Sequence, residues 1–176
     1  MSNYLAVSVL GEAQANLIET LARAVADCKC SIVDSRMTVL GEISGLILLV
    51  QGNWNTLSRL ETQLQRLANE HNLNVHLRRT NGYPEQTDLR PYAVEVSALD
   101  QAGIVQKVAG FFASRSIPVQ EMITRTYTVP HTGTPMSALN LVIGVPAKVH
   151  IGILREEFMD FCDDFNWDAV LEPVKS

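Results

Sequence analysis

The order of hydrophobic patterns constrains this chain most, because the same six-element order occurs twice. Stretches of alternating polarity, and stretches with apolar residues at helical spacing, predict strand, helix, strand, strand, helix, strand in each half. The two halves align with a shift of 100 − 13 = 87 residues at the turn that follows the first strand. The chain of 176 residues is therefore predicted to contain two copies of one fold.

This element order predicts an α+β architecture. With short connections and right-handed crossovers, each half becomes a four-stranded antiparallel sheet with two helices on one face, the ferredoxin-like βαββαβ pattern. We predict a first module over residues 1–80, a linker rich in turn formers over 81–90, and a second module over 91–176. The predicted strands are Tyr4–Leu10, Ser31–Leu40, Leu46–Val50, Asn74–Arg79, Tyr92–Leu99, Pro118–Val129, Ala138–Val145 and Trp167–Leu171.

One predicted strand of the first module, Leu46–Val50, is apolar without interruption. Such a run is typical of a strand that is buried on both faces. Since the two helices cover only one face of the sheet, the other face needs a partner. We therefore expect the chain to self-associate, as in a dimer, or to pack its two modules sheet to sheet.

The candidate ligand site is the turn after the first strand of the second half, formed by Asp100, Gln101, Ala102, Gly103 and Ile104. Asp100 can cap the following helix. Gly103 allows the backbone to come close to a ligand, and the free N–H groups of the helix start attract an anion such as a carboxylate. A capped turn with a purely structural role is the alternative interpretation.

The first half has a different turn at the aligned position, and its residues are weaker candidates for ligand binding. Neither the Asp nor the Gly of the second turn is present, although Asn tolerates unusual backbone angles and can preserve the turn. The weaker candidate residues are Ala13, Gln14, Ala15, Asn16 and, on the next strand, Arg36.

Composition and motifs exclude several other classes of protein. The formal net charge is −5 and no run of Lys and Arg stands out, which disfavours direct contact with nucleic acid. No catalytic, phosphate-binding or dinucleotide-binding motif is present, so we predict no enzymatic activity and no cofactor. The histidines show no ligand spacing, so we predict no metal site. The three cysteines include Cys28-Lys29-Cys30 and fit a reducing cytoplasm, and no signal peptide or membrane span is evident.

Four conspicuous side chains are predicted to pack rather than to react. Cys162 lies on the apolar stripe of its helix and His71 falls at an apolar-stripe position, which favours burial over ligand binding. Trp54 and Trp167 flank helices and are expected to pack against them.

The tandem arrangement, with Asp100-Gln101-Ala102-Gly103-Ile104-Val105 after the first strand of the second half, resembles paired ACT domains, which are small-molecule sensing modules. The first half resembles the glycine cleavage system transcriptional repressor family in the segments 27–37, 40–42 and 52–55. That resemblance implies a protein without a DNA-binding domain of its own, which acts on a DNA-binding activator protein with glycine as the signal. It also implies Asp-Arg-Pro-Gly-Ile in the first turn, where this chain has Ala13 to Leu17.

Three functions are compatible with these features. The first is a cytoplasmic, amino-acid-responsive repressor that binds a partner protein, and the family resemblance favours it. The second is a regulatory amino-acid-binding subunit or fragment of a metabolic enzyme. The third is a structural module that binds no ligand.

Overall fold

The computed structural model describes residues 3–83 and 88–174. In the first half, this part of the chain forms β1 (Asn3–Glu12), α1 (Leu17–Asp27), β2 (Ser31–Leu40), β3 (Ile43–Gly52), α2 (Trp54–Glu70) and β4 (Asn74–Thr80). The second half forms β5 (Leu89–Leu99), α3 (Ile104–Ala113), β6 (Val119–Thr128), β7 (Pro135–Pro146), α4 (Ile151–Asp163) and β8 (Asp168–Pro173). The chain divides into two compact units at the boundary between residues 85 and 86.

Each unit contains a four-stranded sheet, and the two sheets have the same strand order. The first sheet is ordered β2-β3-β1-β4 and the second β6-β7-β5-β8. Every pairing within them is antiparallel. The predicted fold, two ferredoxin-like βαββαβ modules, is confirmed.

Within the first unit, the helices bury only one face of the central strand β3, and the expected self-association or sheet-to-sheet packing stays a prediction. Leu46, Leu48 and Val50 are buried, whereas Ile47 is 61% exposed. The helices cover only the face to which the buried residues point, and the intervening side chains lie on the open face. Although Leu46–Val50 is apolar without interruption, its residues alternate between buried positions and positions on the open face.

The second module begins earlier than its hydrophobic alternation indicates. The strand β5 starts at Leu89, because Leu89 to Pro91 pair with Gly144 to Pro146 of β7. Residues 89 and 90 of the predicted linker therefore belong to a strand. Residues 84–87 of that linker lie outside the described part of the chain.

Each unit has its own apolar core between sheet and helices. In the second unit the centre is aromatic: the ring of the fully buried Phe158 lies 5.1 Å from that of Phe111 and 5.0 Å from that of Phe112, measured between centroids. Cys162 and Trp167 are buried in the same core, as predicted.

Two other packing predictions have opposite outcomes. Trp54 is 68% exposed, so the prediction that it packs is wrong. It is the first residue of α2, where Asn53 and Thr56 satisfy the helix end through a capping box, and its side chain projects into solvent. His71 caps the C-terminal end of the same helix and is half-buried, as expected for packing.

Candidate functional site

The turn between β5 and α3 holds the predicted ligand-binding residues. Asp100, Gln101, Ala102 and Gly103 are exposed, and Ile104 is buried as the first residue of α3. Gly103 is the N-cap of α3, has φ +90°, and no side chain caps the helix there. This left-handed backbone explains the glycine, because other residues adopt it only with strain. The first N–H groups of α3 therefore follow an exposed residue, Gly103, that has no side chain to cover them.

Asp100 does not cap α3, contrary to one of the two roles considered for it. Its backbone N–H donates to the carbonyl of Pro135 at 3.0 Å. Its carboxylate oxygen Oδ1 accepts a hydrogen bond from the Ser137 hydroxyl, with 2.5 Å between the oxygens. The side chain is thereby held against the start of β7, three residues before the N-cap position.

Ser137, which sequence reasoning missed, contacts the candidate site through Asp100. It is 7% exposed and shares its side of β7 with the buried Leu139 and Leu141. A hydroxyl at an apolar position of a strand is costly unless it is hydrogen-bonded. The break in apolar alternation at Ser137 was therefore the available signal.

The turn between β1 and α1 has the same backbone hydrogen bond as the turn between β5 and α3, but a different conformation. The Ala13 N–H donates to the carbonyl of Glu42 at 2.9 Å, as Asp100 does to Pro135. The N-cap is Asn16, with φ −97°, so the unusual backbone angles expected of Asn are not adopted. The Asn16 side chain makes no cap hydrogen bond. This turn therefore does not need a glycine.

Ser44 occupies the position in the first sheet that Ser137 occupies in the second. Ser44 pairs with Gly11, and Ser137 pairs with Ala98, each two residues before the aligned positions 13 and 100. Ser44 is 1% exposed, and its hydroxyl has no hydrogen-bond partner among the described residues. The residue aligned with Asp100 is Ala13, whose side chain cannot accept a hydrogen bond from Ser44. The two units thus contain the same buried hydroxyl, with and without its carboxylate.

Arg36 lies on the open face of the first sheet. It pairs with Ile47, which points away from the helices, and its guanidinium Nη1 donates to Asp34 Oδ1 at 2.5 Å and to the Ser35 carbonyl at 2.8 Å. The structure therefore places this weaker candidate on the face opposite the one that α1 covers.

Tyr83 is expected to ionise above its ordinary pKa of about 10. Its hydroxyl donates to Asp34, and this hydrogen bond raises the pKa of Tyr83 and lowers the pKa of Asp34. The raised pKa contributes stability that is present below about pH 10 and lost as the pH rises through the folded value. The lowered pKa contributes stability that is present above about pH 4 and lost as the pH falls. The difference in phenolate absorbance between the wild type and Tyr83→Phe, followed as the pH rises, measures the pKa of Tyr83.

Asp34→Asn should shift that Tyr83 titration down towards the ordinary value, because the acceptor loses its negative charge. An unchanged titration in Asp34→Asn would contradict the assigned cause.

Two surface cavities of the second unit, about 520 and 490 Å³ in volume, lie away from the turn. Both are lined by Ser114, Arg115 and Glu157, near the C-terminal end of α3. Arg115 Nε donates to Glu157 at 2.9 Å and Nη1 to the Phe111 carbonyl at 3.1 Å. Because the protein already engages this guanidinium, the cavities are poorer sites for a small anion than the turn.

One family model matches most of the first unit. The family model described as ACT domain matches residues 3–78. This range covers the first unit up to the last two residues of β4. The second unit repeats the same strand order and element order. The first unit therefore resembles an ACT domain, and the second unit has the same arrangement of strands and helices.

The particular resemblance is to the glycine cleavage system transcriptional repressor. The chain is 24% identical to the proteins of that name from Escherichia coli K12 and Shigella flexneri, over 98% of this chain and 90% of each relative. A crystal structure provisionally described as the same repressor has a TM-score of 0.76 at 24% identity, covering 100% of this chain and 99% of the other. A protein of Galdieria sulphuraria described as unknown has a TM-score of 0.79 at 22% identity, covering 99% of this chain and all of the other (100%). The described helices include none long and apolar enough to span a membrane.

Proposed function

We propose that this chain is a non-enzymatic, cytoplasmic regulator that responds to a small amino acid and acts by contact with a DNA-binding activator protein. Resemblance to the glycine cleavage system transcriptional repressor over 98% of the chain supports the regulatory role and suggests glycine as the signal. The net charge of −5 supports contact with a protein rather than with DNA.

The observation that carries the amino-acid site is the uncapped start of α3 beside a fixed carboxylate. The ligand carboxylate is assigned to the N–H groups behind Gly103, where the helix dipole also favours negative charge. The ligand ammonium is assigned to Oδ2 of Asp100, because the hydrogen bond from Ser137 uses Oδ1. The ligand-binding residues proposed are Asp100, Gln101, Ala102, Gly103 and Ile104.

The contact with the activator is assigned to the open face of the first sheet. Leu10, Leu40 and Ile47 lie on that face and are 51%, 72% and 61% exposed. Side chains of this kind, exposed together, are typical of a surface that meets another protein, either the activator or a second copy of the chain.

A thermal-shift screen against the twenty common amino acids tests the ligand. A ligand that binds only the native state raises its stability by about 2.7 kcal/mol at a hundredfold excess over Kd. We expect glycine to raise the melting temperature. No response to any amino acid would contradict the proposed signal.

A gel-shift assay with the activator tests the partner. At about 150 mM salt, where non-specific binding is weak, the chain alone should leave the DNA unshifted. Added to the activator–DNA complex, the chain should change the mobility of that complex. Glycine should alter the change, and Ile47→Asp should abolish it. A sequence-selective complex of the chain alone with DNA would overturn the model.

A further inference from the structure

We propose that Asn81, Gly82 and Tyr83 form an autoinhibitory strap across the open face of the first sheet, and that a protein partner occupies the whole of that face only after the hydrogen bond between Tyr83 and Asp34 breaks. This inference rests on the proposed function, which assigns the activator to the open face. It adds that the chain itself already covers one end of that face.

The strap starts at one edge of the sheet and ends at the other. β4, which ends at Thr80, and β2 are the two edge strands. Three residues after Thr80, the Tyr83 hydroxyl donates a hydrogen bond to Asp34 of β2. Asp34 is paired with Leu49, which lies on the open face with Ile47 because side chains alternate along a strand. Three strand spacings are about 14 Å. Three extended residues reach about 10 Å, and the Tyr83 side chain spans the remainder.

The strap also contacts the sheet between its two ends. Gly82 has φ +82°, and an added Cβ there would lie 2.7 Å from the ring of Tyr4. Since Leu5 points into the core, the neighbouring Tyr4 side chain lies on the open face of β1. Both the backbone angle and the close contact therefore favour glycine at position 82.

Exposure along β3 changes where the strap passes. Ile47 is 61% exposed, whereas Leu49, on the same face, is half-buried. β3 lies between β1 and β2, where it pairs Gln51 with Tyr4 and Leu49 with Asp34. A segment that joins Tyr4 to Asp34 passes over this end of β3. The strap therefore covers Leu49 and leaves the end of the face around Ile47 open.

The attachment of the strap is specific but weak. Asp34 Oδ1 accepts hydrogen bonds from the Ser35 backbone N–H at 2.7 Å and from Arg36 Nη1 at 2.5 Å, while Tyr83 uses Oδ2. Tyr83 is 67% exposed, so little apolar burial adds to its hydrogen bond. A partner that needs the covered end binds with an affinity reduced by the fraction of time for which the strap is open.

Thiol labelling of the whole chain measures the cover. The three native cysteines are buried, so a cysteine introduced on the open face reacts first with dithionitrobenzoate. We expect Ile47→Cys to react rapidly and Leu49→Cys slowly. Adding Tyr83→Phe should speed the labelling of Leu49→Cys several-fold, up to about tenfold, because the charge-assisted hydrogen bond of the strap is lost. The labelling rate of Ile47→Cys should not change.

Two further variants make the labelling test sharper. Gly82→Val should also speed the labelling of Leu49→Cys, because the added side chain pushes the strap away from the Tyr4 ring. Tyr127→Phe is the matched control, since it changes an exposed tyrosine of the second unit, and it should alter neither rate. Equal Leu49→Cys rates with and without Tyr83→Phe and Gly82→Val would overturn the strap.

The gel-shift assay with the activator tests the autoinhibition. Tyr83→Phe should change the mobility of the activator–DNA complex at a several-fold lower concentration than the wild type, because the open face is available for more of the time. Faster labelling at an unchanged concentration would overturn the autoinhibition. If neither form changes the mobility, the proposed partner is wrong and the autoinhibition falls with it, whereas the labelling rates still decide whether the strap covers the face.

Discussion

Gly103→Val is expected to abolish glycine binding to the second unit. Gly103 has φ +90°, and a β-branched residue adopts that backbone only at a cost of about 1–3 kcal/mol. An added Cβ would come no closer than 3.9 Å to its nearest neighbour, Gln106 Oε1, so the effect comes from the backbone angle and from blocking the exposed N–H groups. Each charge-assisted hydrogen bond lost lowers affinity by about tenfold to a hundredfold. Calorimetric titration with glycine measures this loss of affinity.

Two control variants separate ligand loss from misfolding. Asn16→Val changes the aligned N-cap, where φ is −97° and a side chain is tolerated, and should barely change glycine affinity. Gly41→Val imposes a similar strain at φ +62° in open space at the β2–β3 turn, and should lower stability while glycine still binds. Circular dichroism checks that each variant is folded. If Asn16→Val removes binding and Gly103→Val does not, the ligand site lies in the other unit.

Phe158→Ala is expected to give the largest loss of stability, about 3–5 kcal/mol in the free energy of unfolding of the second unit. Phe158 is fully buried, and its ring contacts those of Phe111 and Phe112 on α3. Truncation leaves a cavity between the two helices, which the surrounding rings fill only in part. Because α3 carries the proposed site at its start, glycine affinity should fall as well.

Urea denaturation in a Trp54→Phe background measures this loss. The chain has two tryptophans, and the buried Trp167 then reports on the second unit alone. Ile153→Ala is the matched control: it lies on the same helix and is 55% exposed, so its effect should stay within about 0.5 kcal/mol. A loss below about 1 kcal/mol for Phe158→Ala would contradict the assigned core.

Hydrophobic periodicity was sufficient for the fold. The alternation of Leu5, Val7 and Val9 in β1 and the spacing of Leu57, Leu60 and Leu64 in α2 specify which face of each element is buried, and all six residues are in the core. Periodicity failed where contact with a neighbour outweighs it. Leu89 and Arg90 were predicted to be linker but belong to a strand, because β7 extends far enough to pair with them. Ile47 was predicted to be buried but is exposed, because the helices of the first unit cover the other side of the sheet.

The location and glycine of the candidate turn were predictable, because a strand-to-helix connection with Asp and Gly has few other conformations. The partner of Asp100 was not. Ser137 is thirty-seven residues away along the chain, and only the pairing of β5 with β7 brings its hydroxyl to the carboxylate.

By itself, the sequence determined two ferredoxin-like modules and a pair of aligned turns, because side-chain polarity at periods of two and 3.6 decides which faces are buried. Only the tertiary structure decided the conformations and hydrogen bonds of the two turns. The left-handed backbone at position 103 favours glycine, whereas the backbone angle at Asn16 is one that any residue adopts. Strand register placed the Ser137 hydroxyl against a carboxylate and left the Ser44 hydroxyl without a hydrogen-bond partner among the described residues. Hydrogen-bond geometry of this kind depends on distances that no sequence pattern contains.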